Sequence, residues 1–463
     1  MSRATRQILG IATTFTAVLA IVPSATGEGA RLPLRSCVVQ GVSARCGTLA
    51  VPEDRSRPGG RQVRLRVVVL PSRARTPARD AFTYIAGGPG GASATDATAA
   101  VAGIWDAIRA RRDIVLVDQR GTGGSRLLEC PLPRGPVDTV AARHAYVEEC
   151  LAGADADVAQ YGTVQAADDL DAVRKALGYR RLDVYGASYG ATAAQVYLNR
   201  YRASVRTVVL DGGTLIDIPF YARFAQNGAA ALEQVRRRCA AERACAKAFP
   251  RWTADLASLI RRWNASPVRV TSTVTLGGDG LAGVVQTMTL DAAAAASIPL
   301  AVTRAAAGDY RTLARYVRGE GPSRLLMFWT IMCNEPWVGL DVRGPWGTYL
   351  DGSTEAALAG FAEVCPLLPR APQSAADWRR PSGATPVLAL VGGADPQDPV
   401  QNLEGLSQSL PHSRIVVVPS QGHTVGQYGC LGRLVARFVE RGTTAGLDAR
   451  CARAIPVPRF VLR

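Results

Sequence analysis

Lysine is nearly missing from this sequence: Lys175 and Lys247 are the only two, so the 54 basic residues that face 38 acidic ones are almost all arginine. The formal charge of +16 raises the question of a nucleic-acid partner. No run of five or more basic residues occurs, however, and no basic patch is interleaved with aromatic residues. The charge therefore reads as a compositional bias, and no nucleic-acid partner is expected. Histidine is also sparse, at three residues, which leaves few choices wherever chemistry needs an imidazole. No CxxC pair stands near a histidine, which removes the common zinc-site spacing, so neither a metal nor another cofactor is expected. Repeats and low-complexity segments are absent. With 48% hydrophobic and 20% charged residues in 463, disordered and collagen-like chains are excluded as well.

Long apolar runs are missing beyond the N-terminus. There, Arg3 and Arg6 precede an apolar stretch over residues 8–22, Pro23 breaks it, and Ala25-Thr26-Gly27 supplies small residues. Thr13, Thr14 and Thr16 interrupt the stretch, so it reads as an export signal cut after Gly27 and not as a permanent span. Residues 1–27 are thus expected to be a signal peptide and the protein to be secreted, without stable membrane insertion. All ten cysteines follow that cut, in close sequential couples. In an exported chain this predicts up to five disulfides, paired between nearest neighbours.

Short β-rich runs alternate with helical patterns through the first half. Strands are predicted at residues 49–51, 63–70, 81–85, 113–117, 182–185 and 205–210, with helices at 164–177 and 189–201. Such alternation means a parallel sheet with helices on both faces. It lapses over 214–385, where helical patterns occupy 229–249, 253–263, 292–304 and 310–317, with a hairpin about Gly277-Gly278-Asp279-Gly280. It resumes with a strand at 387–391, a helix at 402–410, a strand at 414–418 and a helix at 425–439. The expected organisation is a core in two parts, 28–213 and 386–463, with an inserted, mainly helical cap over 214–385.

Gly186-Ala187-Ser188-Tyr189-Gly190 is a G-x-S-x-G sequence with a strand running in and a helix running out. In that setting small residues at ±2 allow a strained turn that presents a serine hydroxyl. Such a hydroxyl needs a base to become nucleophilic. His144 falls in a helix-like segment and His412 at a helix-to-strand corner, whereas His423 sits in a flexible turn after the last predicted strand. Sites form at the carboxyl edge of open α/β sheets, which selects His423. A carboxylate must orient it. Asp395 and Asp398 both follow the strand at 387–391, and Asp395, nearer the strand end, is preferred. An oxyanion hole needs two fixed N–H donors: Tyr189, next after the serine, and Gly88, from the glycine-rich loop 87–91. Asp118 and Arg120, at the end of a central strand, read as a bracing network.

With these residues placed, the chain resembles secreted bacterial tripeptidyl and prolyl aminopeptidases, related to the proline iminopeptidase branch of the α/β-hydrolases. The resemblance is carried by residues 87–90, 118–125, 166–174 and 186–190, by Cys333-Asn334-Glu335, by Asp395-Pro396 and by Gly422-His423. It implies an α/β-hydrolase fold, a mostly parallel eight-stranded sheet with helices on both faces and an inserted cap. Two departures stand out: Ala86 occupies a place where proline iminopeptidases usually carry histidine, and Asp398-Pro399 stands where relatives often have Thr-Pro. Family exopeptidases hold the substrate's amino terminus with acidic cap residues, and the resemblance assigns that role to Glu335. Phe328, Trp329 and Trp337 are available for an apolar pocket or for cap core. The resulting expectation is a serine exopeptidase working through an acyl-enzyme on a peptide. An esterase or amidase acting on a small molecule is the alternative, and a binding protein on an inactive scaffold is a third reading.

Overall fold

Among the described residues eleven strands are formed: β1 (Arg35–Val39), β2 (Val42–Pro52), β3 (Gln62–Leu70), β4 (Ala81–Ile85), β5 (Ile114–Val117), β6 (Leu182–Ala187), β7 (Val205–Asp211), the short pair β8 (Val268–Arg269) and β9 (Thr275–Leu276), β10 (Val387–Gly392) and β11 (Ser413–Val418). The computed structural model describes residues 31–133, 137, 139–317 and 325–463, so the expected signal segment, residues 1–27, lies outside them. Nine strands form one sheet in the order β1-β2-β3-β5-β4-β6-β7-β10-β11. The first three pair antiparallel, as does β3 with β5, and every pairing from β5 to β11 is parallel.

The sheet has one strand more than the eight expected. The addition is β1, a short and half-polar run that carries no clear signal by itself. It is fixed by a two-residue turn at Gln40 (φ 49°) and Gly41 (φ 77°), positive at both positions as tight hairpins require, and by the Cys37–Cys46 disulfide.

Near-continuous apolar strands are explained by two buried faces. Val67, Val69, Val115, Val387 and Ala389 point into one core, together with Leu170, Val173 and Val196 of the helices Thr163–Leu177 and Tyr189–Tyr201. Val68, Leu70, Ile114, Leu116, Leu388 and Leu390 point into the other, against Val101, Leu434, Val435 and Phe438 of the helices Thr98–Ile104 and Leu431–Arg441. Between β7 and β10 the chain is mainly helical and builds a third core around Leu232, Trp252, Trp263, Met288 and Leu300. Among the described residues, no helix is long and apolar enough to cross a membrane.

Several helical expectations are corrected by local chemistry. The hairpin expected at 277–280 is the start of a helix, Gly278–Thr289. Gly278 serves close packing and not a turn, since a Cβ there would lie 1.9 Å from the Ile260 carbonyl oxygen. The small hairpin is β8–β9, just before it. The helix expected at 402–410 is two short pieces, Val400–Leu403 and Leu406–Ser409, split by Gly405 at φ +87°. The ten cysteines pair as nearest neighbours: Cys37–Cys46, Cys130–Cys150, Cys239–Cys245, Cys333–Cys365 and Cys430–Cys451.

Candidate active site

Because β4, β5, β6, β7, β10 and β11 run parallel, their carboxyl ends share one edge of the sheet, and the residues singled out above follow those ends. Ser188 leaves β6 at φ 56°, ψ −127°, a conformation that a side chain adopts only where its surroundings enforce it. The enforcement is steric. A Cβ at Gly186 would lie 2.1 Å from the Gly190 carbonyl oxygen, and one at Gly190 would lie 2.2 Å from that of Ile85. The turn is further fixed by the Ser188 N–H, which donates to the Asp211 carbonyl at 2.9 Å. Tyr189 then opens the helix Tyr189–Tyr201, so its N–H lies at the positive end of the helix dipole. Gly88 follows β4, and the loop approaches so closely that a Cβ on Gly87 would meet the Ser188 Cβ at 2.9 Å.

His423 lies in the loop after β11. Its N–H donates to the Leu290 carbonyl at 2.7 Å, and its ring Nδ1 lies 2.8 Å from Asp395 Oδ2. Asp395 is 2% exposed, and its Oδ1 accepts the N–H groups of Gln397 and Asp398, each at 2.9 Å. That leaves one carboxylate oxygen for the imidazole and fixes the ring's orientation. Asp398 Oδ2 is farther from Nδ1, at 3.7 Å. The His423 Nε2 is buried and has no protein hydrogen-bond partner among the described residues. Burial opposes charge on this ring, but Asp395, Asp398 and Asp211 outweigh it and hold its pKa up to about 9. His144 and His412 lie elsewhere, in the helix Val140–Gly153 and just before β11.

Sequence reasoning missed Asp211, the last residue of β7. It is 3% exposed, its Oδ1 accepts the Val425 N–H at 2.7 Å, and its Oδ2 accepts the Gly426 N–H at 3.0 Å and the Tyr185 hydroxyl at 2.5 Å. One residue thus ties the turn of Ser188, through its carbonyl, to the loop of His423, through its carboxylate. It also explains why the helix expected from 425 begins only at Leu431. The available signal was an aspartate directly after the apolar run Val208-Val209-Leu210 of β7, beside β6.

Asp118 and Arg120 brace the edge. Asp118 accepts from the N–H groups of Ala94, Thr95 and Gly124 and from the Thr95 hydroxyl. Arg120, fully buried, makes a two-pronged pair with Asp169 at 2.7 Å.

A cavity of about 210 Å³ opens beside Ser188, Tyr189 and Gly88. Its wall is mostly apolar, with Ile218, Phe220, Phe224, Phe328, Met332 and Trp337, and Asp398 and Gln397 supply polar edges. Phe328 and Trp337 therefore line the space, whereas Trp329 packs on Tyr146 at 6.1 Å between ring centres. Glu335 is 4% exposed and stands behind Trp337: its Oε1 accepts the Thr163 N–H at 2.7 Å and its Oε2 the Trp337 indole N–H at 3.2 Å. Burial raises its pKa to about 7.

Asp395, Asp398 and His423 also bring one potential metal-ligand atom each within 4.8 Å of one another, the one such cluster among the described residues. Both oxygens of Asp395 are already engaged, one by backbone N–H groups and one by the imidazole, so the cluster reads as a hydrogen-bonded relay and not as a cation cage.

Comparison with known proteins agrees with this geometry. Residues 85–272 match the family described as alpha/beta hydrolase fold, and residues 354–451 match the TAP-like protein family. The tripeptidyl aminopeptidase of Streptomyces lividans is 31% identical over 190 residues, 36% of this chain and 35% of that protein. The serine protease Hip1 of Mycobacterium tuberculosis is 30% identical over 191 residues, 36% of each chain. Carboxylesterase B of the same organism is 33% identical over 190 residues, 37% of this chain and 36% of that one. The matched stretch thus spans little more than a third of the length of these relatives.

Proposed function

We propose that this chain, which has the α/β-hydrolase fold, is a secreted serine hydrolase of the exopeptidase type that removes residues from the free amino terminus of peptides. Ser188 Oγ attacks the scissile carbonyl while His423 Nε2 takes its proton. Asp395 orients the ring and stabilises the imidazolium, and the N–H groups of Gly88 and Tyr189 hold the oxyanion. Collapse expels the leaving amine, which receives the proton from His423, and water then releases the acyl group from Ser188 by the same proton route.

One observation carries the reading: His423 is anchored on Asp395 at 2.8 Å, with a free and buried Nε2, at the sheet edge where Ser188 is held in its strained turn. The cavity supports an apolar acyl side. At about 210 Å³ it is below the roughly 300–1,000 Å³ of sites for drug-sized ligands, so one side chain or a small acyl group fills it. Glu335 is the candidate partner for the substrate's ammonium, because a carboxyl that burial keeps partly neutral is one that an arriving cation ionises; it stands behind Trp337 and outside the cavity lining, so it reaches the substrate only when the Trp337 indole N–H releases its Oε2. Five disulfides support secretion, since they persist in oxidising compartments. The helices over 214–385, several of which wall the cavity, act as the cap.

A fluorophosphonate probe should label the protein and fail on Ser188→Ala. Labelling that persists in the variant would remove the nucleophile assignment. Hydrolysis of an aminoacyl anilide with a free amine, set against its N-acetylated form, then tests the exopeptidase claim. The apolar wall and a relative named as a carboxylesterase favour esterase or amidase action as the second reading, and indifference to acetylation would select it.

A further inference from the structure

A second carboxylate stands beside His423 that a three-residue relay does not require. Asp398 Oδ2 lies 3.7 Å from Nδ1, against 2.8 Å for Asp395 Oδ2. Asp398 is 7% exposed, and burying a carboxylate is expensive unless it is paired and hydrogen-bonded. Its side chain is held by a hydroxyl that is itself held. The Thr214 hydroxyl donates to Oδ1, and Asn402 Nδ2 donates in turn to Thr214 Oγ1 at 2.8 Å. Its backbone N–H also donates to Asp395 Oδ1 at 2.9 Å, so the two acids are locked into one loop. Among the described residues, its one cationic partner is the His423 imidazole. A shift of about 1 Å, within the reach of a χ rotation, would bring Oδ2 into hydrogen-bond range of Nδ1.

We propose that Asp398 is a second positioning carboxylate for His423: it stabilises the imidazolium formed during proton transfer and takes up the Nδ1 proton donor when Asp395 cannot. The proposal rests on the reading that Ser188, His423 and Asp395 form the relay. The carboxylates that act on the ring are Asp395 and Asp398 from the loop after β10 and Asp211 from β7. Burial and the charge of Asp395 push the Asp398 carboxyl above its usual range, while His423 opposes that shift. The sign for activity follows. His423 works as a base only when neutral, and each negative neighbour raises the pH at which it becomes so. Removing the charge at 398 must therefore move the acid limb of kcat/KM to lower pH.

The test uses the disulfide-intact enzyme with a p-nitrophenyl ester of a short apolar acid. Asp398→Asn should shift the acid limb down by half a pH unit or more with a modest loss of rate, and Asp398→Glu should restore it. Asp395→Asn should retain activity about 10–100-fold below the parent. The Asp395→Asn/Asp398→Asn double variant should fall by about 10⁴-fold, the loss expected when no carboxylate orients the base. An acid limb that Asp398→Asn leaves in place, with Asp395→Asn as inactive as the double variant, would overturn the proposal. If Asp398→Asn does not fold, Asp398→Thr is read by the same limb. Retained activity in Ser188→Ala would instead overturn the relay, so the two failures are distinguishable.

Discussion

Glu335 is an acid whose fold works against its charge, and that has a measurable signature. Its pKa rises from 4.5 to about 7, chiefly through burial. For a carboxyl raised in the folded state, the unfolded chain loses its proton first. The native state is therefore not penalised below pH 4.5, and it loses stability progressively as pH climbs towards 7. The full effect is roughly 3 kcal/mol at neutral pH. Glu335→Gln cannot titrate, so its melting temperature relative to the parent should rise by a few degrees between pH 5 and pH 8. A difference independent of pH would mean that the acid is charged at all those pH values. Asp211 makes the opposite point, since all its value lies in its two acceptor oxygens. Asp211→Asn replaces one acceptor with a donor that faces either the Val425 N–H or the Gly426 N–H together with the Tyr185 hydroxyl. We expect about 1–3 kcal/mol lower stability in urea and, through a displaced His423, kcat/KM lower by about 10²-fold. Normal kinetics in that variant would separate the His423 loop from Asp211. Ser188 and His423 were legible because each sits in a small-residue turn next to a strand end, and histidine was scarce enough for elimination. Asp211 was not legible as a site residue, because its partners Val425 and Gly426 lie more than two hundred residues away and its one local mark, an aspartate at a strand end, does not say what it holds.

At the scale of elements, strands were easier to read than helices, for a physical reason. β5, β7, β10 and the second half of β3 are buried almost throughout, so their identity is written in short runs of Val, Leu and Ile. The helices are interrupted by interactions that no window shows: Gly405 in the left-handed region, the pinning of residues 425 and 426 by Asp211, and the break at Glu242 between Phe224–Ala241 and Arg243–Ala248. Glycine was the least readable residue, because one letter marks turns, close contacts and indifferent helix positions alike. The helix Gly278–Thr289 holds two of these side by side. A Cβ at Gly278 would strike the Ile260 carbonyl oxygen at 1.9 Å, a backbone atom that cannot step aside, whereas at exposed Gly280 the nearest atom is the Leu276 Cδ2 at 3.2 Å, the end of a flexible side chain. Gly278→Ala should therefore lower the melting temperature sharply, whereas Gly280→Ala should leave it unchanged or raise it, since helix propensity adds up to about 1 kcal/mol of stability there. Thermal melts of the two variants decide it, and equal effects would mean that the helix boundary is misplaced.

For the molecule as a whole, the disulfides are short-range staples, yet they differ in what they hold. Cys37–Cys46 closes nine residues at the outer end of the sheet, whereas Cys333–Cys365 closes thirty-two and is buried in the main core. In the chain-entropy picture the longer loop contributes roughly 1 kcal/mol more than the shorter. Position adds a second difference. Cys333 lies in the last turn of the helix Leu325–Asn334, whose Phe328 and Met332 wall the cavity, two residues before Glu335. Cys37, by contrast, is on the strand farthest along the sheet from β10 and β11, which lead to Asp395 and His423. Removing the pair as Cys37→Ser/Cys46→Ser should thus lower the melting temperature and leave kcat/KM within about twofold, since additivity holds for distant sites. Removing Cys333 and Cys365 should lower both, with KM for apolar substrates rising more than kcat falls, because the loosened wall forms binding contacts and does not touch the proton path. Should the two double variants lose activity in equal measure, the sheet edge and the cavity wall would be coupled through the fold, and the cavity could not be treated as a local structure.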